Sequence, residues 1–212
     1  MSTPSDLRSR KRLATRQAIS NAATRLFLAR GFDQVTVDEI AAAADVGRMT
    51  VFNHFPRKED LFFDRDEEAR DSLREALRRR DPRIVPIEAL RLHAHDLVAQ
   101  HSPWVEFSAA SEGFVETAGR SASLQARARA IRDEIARLVA AALAESVGRE
   151  SGDRAAELAA ALLLATWSVA FLEAHKAFRQ ERDSAKAQAV FLAIVDKGSL
   201  GVKAAMAGTP YA

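Results

Sequence analysis

The chain has 212 residues, of which 48% are hydrophobic and 28% are charged, so it can bury a sizeable core and keep a hydrated surface. It contains no cysteine, which excludes disulfide bonds and thiolate metal sites. The formal net charge of +2 is uninformative by itself. Since no apolar run approaches the roughly 20 residues that span a bilayer, we expect a soluble, cytoplasmic protein.

The first predicted helix covers about residues 13–30 and ends at a glycine. Gly31 is a usual residue after a helix, because glycine adopts the left-handed backbone conformation without strain. Apolar side chains recur at helical spacing along this segment and predict one buried face. The positions are Ile19, Ala22, Ala23, Leu26 and Phe27.

The stretch from Thr36 to Leu61 has the spacing of a helix-turn-helix motif. Thr36 and Glu39 form a capping-box pattern, in which each side chain accepts a hydrogen bond from the other residue's backbone N–H. Asp45 to Gly47 is the predicted turn, with Val46 pointing inward. Aspartate tolerates the left-handed conformation of a tight turn, and Gly47 can serve as the N-cap of the next helix.

The second helix of the motif presents a polar outer face near its start. Its predicted buried side consists of Val51, Phe52 and Phe55. The side chains on the outer face are Arg48, Met49, Thr50 and Asn53. A helix in this position lies in the major groove of DNA with its first residues near the base edges. We therefore predict base contacts by these four residues, of which Arg48 can pair bidentately with guanine.

Further short motifs keep a fixed spacing around the helix-turn-helix. They are Ala22-Ala23-x-x-Leu26-Phe27, Gly31-Phe32, Val35-Thr36-Val37, Ile40-Ala41, Ala44-x-Val46, Thr50-Val51-Phe52, His54-Phe55 and Lys58-Glu59-x-Leu61. Together they resemble the DNA-binding domain of the TetR family of bacterial transcriptional regulators. The resemblance implies a homodimer, most often a repressor, that binds a palindromic operator. It also implies a C-terminal domain that binds a small-molecule effector and then releases DNA.

The resemblance also implies roles for single residues. Thr36, His54 and Lys58 match family positions that contact phosphates, which fix the register on DNA without reading sequence. Phe52 stands where tyrosine is common, so it can offer packing but no hydroxyl contact. Asp45 and Gly47 replace a usual glycine and serine, and both changes are chemically mild.

The N-terminal part is more basic than the rest of the chain. Up to Leu61, ten basic and seven acidic residues leave a net charge of +3, whereas the remainder has a net charge of −1. A basic arm precedes the first predicted helix, made of Arg8, Arg10, Lys11 and Arg12. This arm either contacts the DNA backbone or minor groove, or it is a solvated terminus.

Beyond the motif the pattern is helical throughout, which predicts an all-α fold. We expect a DNA-binding domain in residues 1–61 and an effector-binding and dimerisation domain in residues 62–212. The predicted helices cover about residues 57–80, 84–100, a short segment after Ser102-Pro103, 123–146, a segment from Asp153 to about 179, and 184–197, after which Gly198 and Gly201 loosen the chain. Asp66–Arg70 and Glu75–Arg79 pairs on the first of them suggest a solvated face.

The last two long helices are candidates for the dimer interface. They are rich in small and apolar residues: Ala155, Ala156, Leu158, Ala159, Ala160, Ala161, Leu162, Ala165, Val169, Leu172, Val190, Phe191 and Ile194. Such helices would form an intersubunit four-helix bundle. The alternative is that they pack only within the core of one subunit.

The candidate effector pocket consists of aromatic and polar residues of the central helices. The candidates are His93, Trp104, Phe107, Glu112, Phe114, Trp167, Phe171 and His175, with Glu116 as a further polar residue. The alternative is that these aromatic residues simply fill a core. A metal site is disfavoured, because His93 and His95 lie two positions apart and do not share a helix face.

Two other functions are weighed against an effector-controlled regulator. One is a constitutive or architectural DNA-binding protein without an effector. The other is a helical enzyme, for which the sequence offers no nucleophile elbow, phosphate loop or zinc-protease motif. We therefore expect no enzymatic activity, no metal and no cofactor.

Overall fold

The computed structural model describes residues 4–212, with side chains from Arg8 onward. Its helices are α1 (Pro4–Arg30), α2 (Val37–Ala43), α3 (Arg48–His54), α4 (Lys58–Phe62), α5 (Asp66–Arg78), α6 (Pro86–Ala99), α7 (Ala109–Arg120), α8 (Ala122–Ser146), α9 (Arg154–Glu181) and α10 (Ser184–Ala205). A short 3₁₀ turn, Pro103–Val105, precedes α7. No strand occurs among these described residues, which confirms the all-α prediction.

The chain forms two compact units. The first extends to Arg65 and also takes in Gly113–Arg127, from the end of α7 and the start of α8. The second consists of Asp66–Glu112 and Ala128–Ala212. The first unit therefore contains a segment that lies far from the helix-turn-helix in sequence.

The first unit is built on one hydrophobic core that all of its helices share. The buried residues are Ile19, Ala23, Phe27, Phe32, Val35, Ile40, Ala41, Val51, Phe55, Leu61, Phe62 and Leu124. The ring of Phe114, on α7, stacks on that of Phe62 with a centroid separation of 4.2 Å and an interplanar angle of 14°. Aromatic residues therefore join the later segment to the helices around the motif.

Polar contacts fasten the same segment to the first unit. Ser121 Oγ donates to Asp33 Oδ1 at 2.8 Å, and Arg127 Nε donates to Asp60 Oδ1 at 2.9 Å. The Arg127 and Asp60 side chains are mostly buried, so this ion pair is less screened by solvent than a surface pair. The first unit is thus closed by residues that follow the helix-turn-helix by more than 50 positions.

The predicted helix 57–80 is wrong, because the structure has two helices, α4 and α5, separated at residues 63–65. The Asp64 carboxylate accepts a hydrogen bond from Ser20 Oγ. The Asp64 carbonyl oxygen accepts another from Arg16 Nη2 at 3.3 Å. Both partners lie on α1, so tertiary contacts interrupt a segment whose local sequence favours a helix.

The predicted start of the first helix is also wrong. Helix α1 begins at Pro4, so the basic residues Arg8 to Arg12 lie within it and not in an arm ahead of it. Proline is favoured at the first position of a helix, and residues 5–30 contain no glycine or proline to interrupt it. The basic cluster is therefore presented on a helix.

The second unit contains two hydrophobic clusters and a close pair of long helices, α9 and α10. One cluster includes Leu77 of α5, Leu143 of α8 and the C-terminal Tyr211. The prediction that the last helix ends near residue 197 is wrong, because α10 continues through both glycines to Ala205. A Cβ atom at Gly198 would overlap Thr166 Cγ2, so glycine permits close packing against α9.

Helix α9 contradicts the expectation that no apolar segment is long enough to span a bilayer. By length and composition it could cross a membrane, although one such helix is weak evidence because core helices pass the same test. Only 28% of its most apolar stretch is buried in the structure. An exposed apolar stripe runs along it at helical spacing: Leu158, Ala161, Ala165, Val169 and Leu172.

Candidate nucleic-acid interface and effector site

The capping box and turn of the helix-turn-helix motif are confirmed. Thr36 Oγ1 accepts from the Glu39 backbone N–H at 3.2 Å, and Glu39 Oε2 accepts from the Thr36 N–H at 2.8 Å. Asp45 has the left-handed conformation, with φ 53°, and Gly47 is the N-cap of α3. The Thr36 backbone N–H and then Arg30 hold the pKa of Glu39 down at about 2.

Helix α3 presents the predicted residues on its outer face. Arg48, Met49 and Asn53 are exposed, Met49 to 69%, and Thr50 is half-buried. Val51 and the following Phe55 are buried as predicted. Phe52 departs from the prediction, because its ring is half-buried and lies 5.6 Å from the Arg48 guanidinium carbon.

Arg48 is held by an acidic residue of the preceding helix. Its Nη1 donates to Asp38 Oδ2 at 2.9 Å, and both side chains are more than half exposed. Exposed ion pairs of this kind contribute little to stability. The guanidinium can therefore exchange this partner for a base edge or a phosphate at low cost.

Two of the three candidate phosphate-binding residues are oriented by contacts within the unit. Lys58 Nζ donates to the Phe32 carbonyl oxygen at 2.6 Å and lies 4.2 Å from the Phe32 ring centroid. Burial lowers the pKa of Lys58. Thr36 Oγ1 donates to Glu39 Oε2 at 2.9 Å, so this hydroxyl is already paired.

His54 lies at the end of α3 beside basic residues. Burial, followed by the charges of Arg12 and Arg16, lowers the pKa of His54 below its ordinary value. Its imidazole is therefore neutral at pH 7 and has one N–H to donate. In the absence of DNA, His54 therefore offers a phosphate one neutral hydrogen-bond donor.

Arg16 is a supporting residue that the sequence patterns do not single out. Its Nη1 donates to the His54 carbonyl oxygen at 2.7 Å, and its guanidinium carbon lies 4.1 Å from the Phe55 ring centroid. Arg16 therefore links α1 to the end of α3. Only its basic character was visible in the sequence, since the partners are 38 or more positions away.

Most of the aromatic effector candidates meet in the second unit. Trp104, Phe107, Trp167, Phe171 and Phe191 belong to one cluster that spans α6, the 3₁₀ turn, α9 and α10. The Phe107 ring lies 6.1 Å from Phe171 and 5.9 Å from Phe191. Trp104, Trp167 and Phe171 are partly exposed, whereas Phe107 is buried.

His175 lies inside this cluster. Its exposed fraction is 1%, and its ring is edge-on to Phe171 at 4.5 Å and to Phe107 at 5.0 Å. Neither ring nitrogen has a hydrogen-bond partner among the described residues. Burial, and then the charge of Arg179, lowers the pKa of His175 to about 4.

Glu112 is paired with arginines of α9 and the residue that follows it. Its Oε2 accepts from Arg182 Nη1 at 2.5 Å, and its Oε1 lies 3.4 Å from Arg179 Nε. The carboxylate is thus neutralised by two guanidinium groups. It is not an isolated acidic group for a ligand.

Two other pocket candidates are placed elsewhere. Phe114 packs on Phe62 and Phe63 in the first unit, so grouping it with the other aromatic candidates was wrong. Helical spacing showed that Phe114 has an apolar face but not which core that face enters. His93 Nε2 lies 2.9 Å from Ser72 Oγ, in a hydrogen bond between α5 and α6.

The described part of the chain contains no group of three or more histidine, aspartate or glutamate side chains that could hold a metal ion. His95 Nε2 lies 2.8 Å from Asp196 Oδ1, and Arg91 Nη1 lies 2.7 Å from the same oxygen. Asp196 therefore links Arg91 and His95 of α6 to α10.

Comparison with known proteins identifies the helix-turn-helix region. Residues 19–64 match the model of the family described as bacterial regulatory proteins, tetR family. The chain is 44% identical over 62 residues to the HTH-type transcriptional regulator TcmR of Streptomyces glaucescens. That match covers 28% of this chain and 27% of TcmR, so the similarity spans about a quarter of the relative's length.

Solved structures extend the similarity of fold to most of the chain. The complex of SmeT with triclosan has a TM-score of 0.57 at 22% identity, covering 89% of this chain and 91% of SmeT. SmeT is the repressor of the Stenotrophomonas maltophilia multidrug efflux pump SmeDEF. Thermus thermophilus FadR, a TetR-family repressor solved with lauroyl-CoA, has a TM-score of 0.50 at 27% identity, covering 86% and 94%.

Proposed function

We propose that this chain, a member of the TetR family of bacterial transcriptional regulators, is a homodimeric repressor that a small molecule releases from DNA. The observation that carries the proposal is the outer face of α3. Its residues project from a helix whose opposite face is buried in the core of the first unit. A rigidly held helix with an exposed polar face is what major-groove recognition requires.

On this proposal Arg48, Met49, Thr50 and Asn53 read or adjoin the bases. The basic residues of α1 supply phosphate contacts that do not depend on sequence. Arg8 lies three and four positions from Lys11 and Arg12 on α1, so these three residues share a face that would follow one stretch of backbone, whereas Arg10 lies on another face. His54 would donate a hydrogen bond to a phosphate. Thr36 would do so only after its hydroxyl leaves Glu39, and Lys58 would form a charged contact after leaving the Phe32 carbonyl oxygen.

A dimer is supported by the exposed apolar stripe of α9. Leu158, Val169 and Leu172 are exposed by 50%, 53% and 57%, and Leu200 of α10 by 64%. Exposed apolar area on two adjacent helices fits an interface in which α9 and α10 pack against the same helices of a second copy. A two-fold dimer carries two α3 helices and therefore matches a palindromic operator with half-sites about 34–36 Å apart.

Effector control is supported by the path of the chain between the units. Helices α7 and α8 each begin in one unit and end in the other, with crossings after Glu112 and after Arg127. Glu112 contacts arginines of the second unit, and Phe114, half a turn later, packs in the core of the first. A ligand that shifts α7 would act directly on the DNA-binding unit through a continuous helix.

SmeT with triclosan and FadR with lauroyl-CoA are the relatives that favour a ligand here as well. Both bound molecules carry apolar parts, which suits the aromatic cluster around Phe107. The proteins compared above are named as regulators or repressors, which leaves the helical-enzyme alternative without support.

The proposal is tested by selecting duplexes from a randomised DNA library at about 150 mM salt, with wild type and Arg48→Ala in parallel. We expect wild type to enrich one palindromic motif, and Arg48→Ala to lose discrimination at one position of each half-site. A bidentate arginine contributes about 1–3 kcal/mol of such discrimination.

The same experiment separates the alternatives. Uniform retention of all duplexes by both proteins would indicate the architectural DNA-binding protein instead. If neither protein retains DNA at any salt concentration, DNA binding itself is wrong.

A further inference from the structure

His175 is an unusual residue for the interior of the second unit. A buried polar group without a hydrogen bond costs free energy, and native proteins keep few of them. Phenylalanine or leucine would fill a similar space against Phe107 and Phe171 without that cost. A hydrogen-bond partner from outside the described residues would therefore stabilise the imidazole.

The surroundings of His175 define what kind of partner fits. The rings of Phe107 and Phe171 contact it, and the cluster they belong to includes the partly exposed Trp104 and Trp167. The charged groups nearest to it, Arg179 and Glu112, are paired with each other. A partner that reaches His175 thus meets aromatic surface and one hydrogen-bonding group.

We propose that His175 is the polar anchor of a ligand site that takes a small, uncharged, largely apolar molecule carrying one hydroxyl group, and this assignment rests on the proposed effector-controlled function. A neutral imidazole has one N–H donor and one acceptor nitrogen, and a hydroxyl group complements either of them. The aromatic rings bury the apolar body of the ligand.

Charged ligands fit the same site less well. With a pKa of about 4, His175 is uncharged at pH 7, so a buried carboxylate would meet no opposite charge there unless the imidazole first gained a proton. A cation would lie beside Arg179, and the carboxylate of Glu112 is already paired with two arginines. The hydroxyl is therefore the polar group that this cluster favours.

Ligand binding at the proposed site can be followed by the fluorescence of the protein's own tryptophans. Both of its tryptophans, Trp104 and Trp167, belong to the aromatic cluster, so intrinsic tryptophan fluorescence reports binding there. The experiment titrates the full-length protein with 4-propylphenol and with propylbenzene, which lacks only the hydroxyl. We expect wild type to bind the phenol about tenfold more tightly, as one hydrogen bond to a buried, unpaired group would give.

Substitutions of His175 test whether its imidazole causes the preference for the phenol. His175→Phe keeps a ring and removes both hydrogen-bonding atoms, so it should bind the two probes with affinities within about twofold of each other. His175→Gln keeps a donor and an acceptor and should restore part of the preference. Tyr211→Phe is the matched control, since it removes a buried hydroxyl in the other cluster of the same unit. It should keep the wild-type ratio.

The assignment would be overturned if wild type bound both probes equally well or if the preference persisted in His175→Phe. It would also be overturned if neither probe gave a saturable change in fluorescence. If His175→Phe does not fold, His175→Leu makes the same comparison. Operator binding is measured separately. Specific DNA binding without phenol binding contradicts this inference alone, whereas phenol binding with no specific DNA binding contradicts the proposed function alone.

Discussion

The ion pair between Arg48 and Asp38 allows the proposed role of Arg48 in DNA binding to be tested at a single residue. In the structure, the Asp38 carboxylate holds the Arg48 guanidinium at 2.9 Å on the outer surface of the motif. If Arg48 contacts DNA as proposed, a carboxylate there would compete for the arginine and repel nearby phosphates. Asp38 would then tune affinity without reading sequence.

We predict that Asp38→Asn raises DNA affinity about two- to fivefold at low salt for specific and scrambled duplexes alike, and that the gain shrinks as salt rises. The measurement is fluorescence anisotropy titration at several salt concentrations. Glu116→Gln, on α7 and outside the helix-turn-helix, is the control for removal of an acidic charge from the same unit. Weaker binding by Asp38→Asn would mean that Asp38 positions Arg48 productively and does not compete with DNA.

The pH dependence of stability can test how much the Glu39 carboxylate contributes to the capping box. Its pKa is lowered to about 2 by the Thr36 backbone N–H and by Arg30, so the folded state prefers the ionised form. A lowered folded-state pKa adds stability above the unfolded-state value near 4.5, and this stability is lost as the pH falls toward 2.

We predict that wild type is more stable than Glu39→Gln at pH 7 and that the difference shrinks between about pH 4.5 and 2. Urea unfolding of both proteins across this range measures it, because the other carboxyl groups cancel in the comparison. A constant difference would show that the carboxylate charge contributes nothing to the cap.

At the scale of helices, Gly198 determines how closely α10 approaches α9. A Cβ atom there would clash with the Thr166 side chain, which itself donates to the Leu162 carbonyl oxygen at 2.9 Å. A Cβ atom at Gly201, one turn along the same helix, would meet no described atom within 4 Å beyond its own stretch of helix backbone. The two glycines thus form a matched pair.

We predict that Gly198→Ala lowers the free energy of unfolding by about 1–3 kcal/mol through overpacking. Gly201→Ala should be neutral or raise it by up to about 1 kcal/mol, because alanine favours the helix. Thermal and urea unfolding of both variants tests this, and adding Thr166→Ala to Gly198→Ala should recover part of the loss. Equal effects of the two single variants would contradict the close packing.

Elements fixed by local bonds could be predicted from the sequence, and those fixed by distant partners could not. The capping box and the Asp45 turn depend on residues a few positions apart, and both are confirmed. The break before α5 depends on Ser20 and Arg16 of α1. The run of α10 through Gly198 depends on Thr166, which no periodicity within α10 reveals.

The same distinction holds for the candidate sites. The exposed face of α3 could be predicted because Val51 and Phe55, four positions apart, mark the buried face of the helix. Phe114 could not be assigned to the first unit, because helical spacing shows only that a residue is buried and not which core it enters. The pairing of Lys58 with Phe32, 26 positions away, was hidden for the same reason.

At the scale of the molecule, the proposed dimer explains why α9 is so apolar yet mostly unburied. We predict that wild type sediments with about twice the 23.2 kDa mass of one chain, and that Leu172→Glu sediments as a monomer. Leu92→Glu, at an exposed leucine of α6, is the control and should remain dimeric. A monomeric wild type, or a requirement for detergent to keep it in solution, would contradict the interface.

Sequence reading by the exposed face of α3 is measured by the ratio of dissociation constants for scrambled and selected duplexes. Both constants are measured at about 150 mM salt for wild type and Arg48→Ala. We predict a ratio of at least about 10³ for wild type and a roughly tenfold or greater reduction in Arg48→Ala. A wild-type ratio near one, or a ratio unchanged by Arg48→Ala, would contradict the account.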